Sequence, residues 1–188
     1  MDFLYLLEDL RAPWLDAVVA ALTHLGGETA FLIAALAVFW CVDKCLGYYL
    51  LSVGFLGTLV NQFLKITCRI PRPWARDPDF TIVESARAEA TGYSFPSGHS
   101  TSSVGTFGVI VTEGRRLWLR LTALALCFLI PLTRLYLGVH TPADVLVGSA
   151  ISLFFIIVLR PVIYHGDGKH MPKLLAVMLA LAAAFVAY

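Results

Sequence analysis

Two histidines in the sequence have neighbours that could give them a chemical role. His140 precedes Asp144 by four residues, about one turn of an α-helix. In such a helix the Asp144 carboxylate could accept the Nδ1–H of His140, which would leave Nε2 free to act as a nucleophile. His99 ends a Pro-Ser-Gly-His tetrapeptide typical of a tight turn leading into a helix, where Gly98 lets a ligand approach the backbone. The N–H groups that follow, and the helix dipole, favour an anion at this place.

Three basic residues stand at the ends of apolar segments without a matching acid beside them: Lys65, Arg72 and Arg134. Brought together, they would repel one another unless an anion lay among them. Arginine forks match the oxygens of a phosphate, and lysine supplies a compact point charge. Two histidines and an aspartate could also ligate zinc, but three nearby cations would oppose a metal ion. We therefore expect a phosphate-binding site that uses no metal and no cofactor.

The elements that position these residues must lie largely in a membrane. Of the 188 residues, 59% are hydrophobic and only 14% are charged, whereas about a quarter are charged in a soluble domain. The mean hydropathy is +0.77, and the apolar residues occur in blocks, as expected for membrane-spanning helices. The net charge of +1 and the lack of a basic stripe give no indication of nucleic-acid binding, and we expect no nucleic-acid partner.

We predict an all-α integral membrane fold, a six-helix transmembrane bundle without a separate soluble domain. The predicted spans are 28–43, 45–65, 98–112, 118–136, 142–160 and 172–188. Residues 1–188 then form a single domain, in which 28–160 is the motif-bearing core and 172–188 the last membrane helix. Within 1–26, apolar residues repeat at helical spacing on both sides of a proline, which predicts two amphipathic helices on the membrane surface. A helical hairpin packed on the bundle would explain the same pattern.

The order of the spans predicts that the chemical residues meet on one face of the membrane. Successive spans alternate in direction, so the second span ends, the third begins, the fourth ends and the fifth begins on the same face. The unusual polar residues fall at those four places. Lys65 and Arg72 follow or end the second span, and Ser97 and His99 open the third. Arg134 closes the fourth span, and His140 and Asp144 open the fifth. Because ionisable residues at membrane depth are costly, such a cluster indicates function.

Simpler interpretations exist for single parts of this pattern. Residues 141–144 read Thr-Pro-Ala-Asp, which is also a helix start with Thr141 as the N-cap and Pro142 in the first turn. Both roles are compatible, because capping and orienting use different lone pairs of one carboxylate. The other histidines, His24, His165 and His170, are expected to be merely packed or solvated. For the connection 74–95 we favour a solvated loop, with a lid or substrate entrance as the alternative.

Taken together, these motifs resemble the type 2 phosphatidic acid phosphatase superfamily over about residues 28–160. The first block of that family, Lys-x6-Arg-Pro, matches Lys65 through Pro73, and the second, Pro-Ser-Gly-His, matches the residues that end at His99. The third, Ser-Arg-x5-His-x3-Asp, matches the segment from Thr133 to Asp144. Thr133 replaces the serine, but the hydroxyl is retained.

The resemblance implies a phosphohistidine mechanism. His140 would be the nucleophile, Asp144 would orient it, and His99 would protonate the leaving oxygen and later activate water. The remaining matched residues would hold the phosphate oxygens, namely Lys65, Arg72, Ser97, Gly98 and Arg134.

The expected activity is therefore hydrolysis of a phosphorylated lipid in the membrane. Phosphatidic acid, phosphatidylglycerol phosphate and a polyprenyl diphosphate are candidate substrates. One alternative is a phosphotransferase that uses a lipid alcohol as acceptor, although retention of the Lys65 block favours hydrolysis. Another is a non-enzymatic phospholipid carrier, which would need the cations but not the pair of His140 and Asp144.

The distribution of basic residues predicts the orientation. Of the 14 lysines and arginines, seven fall on each predicted face. Phosphate binding accounts for three of those on the site face. The remaining basic residues are then seven on the opposite face and four on the site face. The positive-inside rule then places the site on the outer side. We expect a bacterial inner or plasma membrane protein whose site faces the periplasm or the outside.

Overall fold

The computed structural model describes residues 1–164 and 169–188, and the ordered elements in these ranges are helical. The α-helices are α1 (Asp2–Asp9), α2 (Pro13–Thr23), α3 (Glu28–Cys41), α4 (Lys44–Cys68), α5 (Pro73–Arg76), α6 (Gly98–Glu113), α7 (Leu117–Tyr136), α8 (Pro142–Tyr164) and α9 (Met171–Ala187). Short 3₁₀ turns occupy His24–Gly26 and Glu84–Ala86. His165, which was expected to be packed or solvated, lies outside the described residues.

Local signals explain where the long helices begin and end. The Asp43 side chain accepts the Leu46 N–H at 2.7 Å and so caps the start of α4. At the other end of α4, Arg69 adopts the left-handed conformation with φ of 51°, which stops the helix. Pro142 occupies the first position of α8, where its missing N–H costs nothing.

Length and composition identify α4, α7 and α8 as helices able to cross a membrane, among the residues that the structure describes. A fourth span results if Pro13–Gly26 and Glu28–Cys41, which meet at a bend of 48°, are one broken span. Two further predicted spans are helical but shorter, since α6 has 16 residues and α9 has 17. The predicted count of six spans is therefore not reached by these criteria.

Helix α6 lies at the centre and packs against α4, α7 and α8. Its sequence contains many Gly, Ser and Thr residues, and such small residues let helices approach closely. The start of α6 also approaches α8 closely, because a Cβ at Gly148 of α8 would lie only 2.5 Å from the Ser97 carbonyl oxygen. This contact brings the turn before α6 against the first turns of α8.

The N-terminal helices pack on α7 at the end of the bundle that carries the predicted site. Leu4 is 2% exposed and packs with Phe80 and Leu135. The Tyr136 hydroxyl donates to Asp16 at 2.7 Å. Helices α1 and α2 are therefore packed on the bundle, which was the alternative to helices lying on the membrane surface. Trp14 and other apolar residues of these two helices nevertheless remain exposed. By contrast, α9 has no buried residue and contacts α4.

Candidate active site

The four predicted places meet at one end of the bundle. The Ser97 N–H donates to the Asp144 carbonyl oxygen at 2.9 Å, which joins the start of α6 to the start of α8. Arg72, after α4, reaches His140. Lys65 donates to the carbonyl of Tyr93 at 2.8 Å, next to the segment that leads into α6. The site therefore gathers residues from several segments distant in sequence.

His140 is held in one orientation by a cation on one side and a carboxylate on the other. Its side chain is only 3% exposed, and its Nε2 lies 3.0 Å from Nη1 of Arg72. Because a guanidinium only donates, Nε2 must be the accepting nitrogen and the ring proton must be on Nδ1. That nitrogen faces Oδ2 of Asp144 at 3.4 Å, long for a hydrogen bond. Burial lowers the pKa of His140, which keeps the imidazole neutral at pH 7.

Asp144 performs two tasks with the same oxygen. Its Oδ2 accepts the Thr141 N–H at 2.7 Å and the Ser94 hydroxyl at 2.5 Å. In return the Asp144 N–H reaches the Thr141 hydroxyl at 3.4 Å, which completes the helix start expected from the sequence. Capping and orienting both engage Oδ2, because the same oxygen also faces His140. The first turn of α8 and the orientation of His140 are thus coupled.

Arg72 is fixed by neutral carbonyl groups. Its guanidinium donates to the carbonyls of Val139 at 3.0 Å, Thr91 at 2.7 Å and Gly92 at 3.2 Å. The group also lies over the Trp74 ring, 5.8 Å from its centre. None of these partners carries a full negative charge, so the cation is positioned but its charge remains available to an anion.

Arg134 is 1% exposed and depends on the N-terminal helices for its position. Its Nη1 donates to the Thr23 hydroxyl at 2.8 Å. Thr133 donates to the Ile130 carbonyl at 2.6 Å and also lies 3.0 Å from the same Thr23 oxygen. The Nε of Arg134 is buried and has no hydrogen-bond partner among the described residues. A buried donor of this kind is suited to an anionic ligand.

The turn before α6 offers backbone groups to a ligand. Ser97 accepts the Ser100 N–H at 3.3 Å and the Ser100 hydroxyl at 2.9 Å, which leaves its own hydroxyl proton free to be donated. A Cβ at Gly98 would contact only Asn61 Oδ1, at 4.0 Å. Protein packing therefore does not require glycine at this position, whereas close approach of a ligand to the backbone would.

His99 faces a carboxylate from the loop that connects α5 to α6. Its Nε2 lies 3.4 Å from Oε2 of Glu89, and the same oxygen lies 4.0 Å from Nη1 of Arg134. The other oxygen of Glu89 is 2.8 Å from Nδ1 of His24. His24 is 66% exposed, in keeping with the expectation of a solvated ring, but it also has a specific carboxylate partner in Glu89. Likewise, Glu89 is more than a solvated loop charge.

Sequence reasoning missed the residues that support the motifs from outside them, which are Thr23, His24, Asn61, Glu89 and Ser94. Asn61 precedes Lys65 by one helical turn, so its position on the same face of α4 was readable from the sequence. For Thr23, His24 and Glu89 no spacing signal exists, since their contacts depend on how α2 and the loop fold back onto the bundle.

The geometry is that of a helical membrane protein with a cationic, histidine-containing site. A model of the PAP2 superfamily matches residues 45–168, and the chain belongs to that superfamily. Phosphatidylglycerophosphatase B of Bacillus subtilis is 29% identical over 163 residues, which cover 79% of this chain and 76% of that protein.

Two solved structures share the fold. The crystal structure of Aquifex aeolicus LpxE aligns with a TM-score of 0.72 and 25% identity, covering 84% of this chain and 92% of that chain. The transmembrane PAP2-type phosphatidylglycerolphosphate phosphatase of Bacillus subtilis aligns with a TM-score of 0.67 and 26% identity, covering 85% and 81%. With its apolar helices and these relatives, the chain is an integral membrane protein whose relatives are lipid phosphatases.

Proposed function

We propose that this protein hydrolyses the phosphate or diphosphate ester of a membrane lipid through a phosphohistidine intermediate. The observation that carries the proposal is the state of His140. Its Nε2 is an accepting nitrogen beside Arg72, and its protonated Nδ1 faces Asp144. A neutral, oriented imidazole next to Arg72, which has no carboxylate partner among the described residues, suits nucleophilic attack on a bound phosphate.

The reaction proceeds in two steps. First, Nε2 of His140 attacks phosphorus, the bond from phosphorus to the lipid oxygen breaks, and His99 gives that oxygen a proton. Asp144 stabilises the positive charge that develops on the His140 ring. In the second step His99 takes a proton from water, the water oxygen attacks phosphorus, and the N–P bond breaks to release inorganic phosphate.

Five groups hold the phosphate in this proposal, and each has support in the geometry. Arg72 and Arg134 supply buried guanidinium groups without a tight acid partner, and Lys65 adds a compact charge. Ser97 and Gly98 contribute the hydroxyl and the backbone N–H of the α6 start. We expect no metal or other cofactor, because the cations already neutralise the phosphate and oppose a metal ion.

The proposal extends to the membrane arrangement. Helices α3, α4 and α6–α9 would form a six-helix transmembrane bundle within a single domain of residues 1–188. The exposed apolar residues of α1 and α2 would contact the membrane interface. The site would face the periplasm or outside of a bacterial inner or plasma membrane, as the balance of basic residues favours.

Release of inorganic phosphate from a panel of lipids tests the function. Purified protein in detergent micelles should release phosphate from at least one of phosphatidic acid, phosphatidylglycerol phosphate and a polyprenyl diphosphate. Vanadate should inhibit by imitating pentacoordinate phosphorus, and EDTA should not inhibit. An acid-labile, base-stable phosphoprotein should be trapped on rapid quenching. Phosphate transfer to an added lipid alcohol without release of free phosphate would contradict hydrolysis.

Accessibility of single cysteines tests the orientation. In a background whose native cysteines are replaced by serine, Ser85→Cys lies in the loop on the site face and Leu117→Cys at the opposite end of the bundle. A membrane-impermeant maleimide added to intact cells should label the first and not the second. The reverse pattern would place the site on the cytoplasmic face.

A further inference from the structure

The carboxylate of Glu89 stands at one end of the proposed phosphate site. Its Oε2 lies 3.4 Å from Nε2 of His99 and 4.0 Å from Nη1 of Arg134. In the proposed mechanism His140, whose Nε2 contacts Arg72, attacks from the opposite side. Because attack and departure are in line at phosphorus, the leaving group must point toward His99 and hence toward Glu89.

The protein holds this carboxylate in place from two sides. Oε1 of Glu89 lies 2.8 Å from Nδ1 of His24, at the end of α2. On the loop itself, Ala86 and Ala90 are buried and pack with Leu137 and other residues of the connection between α7 and α8. Glu89 lies between these anchors and therefore has little freedom to move away from His99, although its side chain is 36% exposed.

A fixed negative charge at this position distinguishes two kinds of leaving group. In a phosphate monoester the leaving group is an alcohol, which is uncharged before the reaction and receives a proton from His99 as it departs. In a diphosphate the leaving group is itself a phosphate monoester and carries negative charge throughout. Two like charges a few ångströms apart repel one another, and the partial burial of Glu89 leaves part of this repulsion unscreened by water.

We propose that Glu89, positioned by His24, makes the site select phosphate monoesters over diphosphates. This inference rests on the proposed function, since it uses the assignment of His99 to the leaving-group side. It narrows the substrate class to lipids whose phosphate is attached directly to an alcohol carbon. Hydroxyl groups on such an alcohol gain an additional acceptor in Glu89, which favours polar leaving groups such as a glycerol moiety.

The test compares the monophosphate and the diphosphate of one prenyl alcohol, so that the apolar chain is constant. Farnesyl monophosphate and farnesyl diphosphate in mixed micelles serve as the probes, and the readout is the ratio of their kcat/KM values. Wild-type protein should prefer the monophosphate. Glu89→Gln should move the ratio toward the diphosphate by about tenfold, as expected when one nearby like charge is removed.

Three further variants make the result specific. Glu89→Asp keeps the charge and should keep the preference. His24→Gln removes the ring that positions the carboxylate and should shift the ratio in the same direction as Glu89→Gln, but less. Glu84→Gln is the matched control, because this glutamate of the same loop pairs with Arg87 at 2.8 Å and is 74% exposed. It should leave the ratio unchanged.

Several outcomes would overturn the inference without touching the proposed function. One is a preference of the wild-type protein for the diphosphate. This outcome is measured on the wild-type protein alone, so it does not depend on the folding of any variant. Another is an active Glu89→Gln protein whose ratio equals that of the wild type. A ratio shifted equally by Glu84→Gln would assign the effect to the net charge of the loop. Failure of the wild type to release phosphate from any phosphorylated lipid would instead contradict the proposed function.

Discussion

His140 and His99 differ in how the protein holds them. His140 is enclosed by motif residues, with Arg72 on Nε2 and Asp144 facing Nδ1. His99 has no hydrogen-bond partner on Nε2 among the described residues, and the acid near it, Glu89, comes from a loop outside the motifs. In the proposed mechanism, the nucleophile side thus depends on residues of the three motifs, while the leaving-group side is also shaped by residues outside them. If both proposals hold, reaction chemistry and substrate choice rest on different parts of the molecule.

The largest expected effect separates the two histidines. His140→Ala should lower kcat by about 10⁴-fold or more with every substrate and abolish the trapped phosphoprotein, because no other group replaces the nucleophile. His99→Ala should lower turnover of lipid substrates by about 10²- to 10⁴-fold. With p-nitrophenyl phosphate, whose leaving group departs without a proton, the loss should be much smaller. Equal losses on both substrate types would contradict the division of roles.

The next effect tests the coupling of His140 to the start of α8. Asp144→Asn should reduce kcat by roughly 10²-fold or more, since an amide stabilises the charged imidazole poorly and offers a single acceptor oxygen. The matched control is Asp43→Asn, which makes the same change at the start of α4, at the opposite end of the bundle. Asparagine caps helices as well as aspartate does, so phosphate release should be unaffected there. Parallel losses in both variants would indicate a general effect on folding.

A smaller effect is expected from Thr23, which supports Arg134 from outside the motifs. Thr23→Val removes the acceptor of the Arg134 Nη1–H at nearly constant volume and should cost about 1–3 kcal/mol in transition-state stabilisation. That corresponds to a fall of roughly fivefold to 160-fold in kcat/KM. Thr23→Ser retains the hydroxyl and should be close to wild type. A Thr23→Val protein with the kcat/KM of the wild type would show that Arg134 keeps its position without the hydrogen bond to α2.

The smallest effect should occur far from both histidines. Glu113 accepts from Arg160 at 2.7 Å in an ion pair between α6 and α8, away from the site. Glu113→Gln should change the free energy of unfolding by at most about 1 kcal/mol, as for other exposed pairs, and should not change kcat. Thermal unfolding in detergent and a phosphate-release assay measure the two quantities. Loss of activity at wild-type stability would mean that this end of the bundle communicates with the site.

The sequence was most informative where a physical pattern is local or periodic. The segments predicted at 118–136 and 172–188 are the helices Leu117–Tyr136 and Met171–Ala187, because long apolar runs bounded by polar residues leave few alternatives. The alternation of such helices also brought the motif residues to one end of the bundle. The cap on α8 followed from the Thr-Pro-Ala-Asp pattern alone.

What the sequence did not reveal depends on contacts between distant segments without a repeating pattern. Nothing in the composition of the 74–95 loop distinguishes Glu89 from its other acids, since only the packing of Ala86 and Ala90 turns that side chain toward His99. In the sequence His24 is indistinguishable from an ordinary interfacial histidine, because its contact with Glu89 depends on the packing of α2 against α7. Length and composition alone do not identify six spans, because the central helix α6 is short and rich in small polar residues.

The hydrogen bond between Thr23 and Arg134 joins residues 111 positions apart. During synthesis α2 leaves the ribosome long before α7 does, so Thr23 remains without this partner while most of the chain is being made. The nucleophile and its aspartate follow later still. A nascent chain shorter than about 144 residues therefore contains most of the membrane helices but no complete phosphate site. The proposed chemistry therefore becomes available only when nearly the whole bundle has assembled.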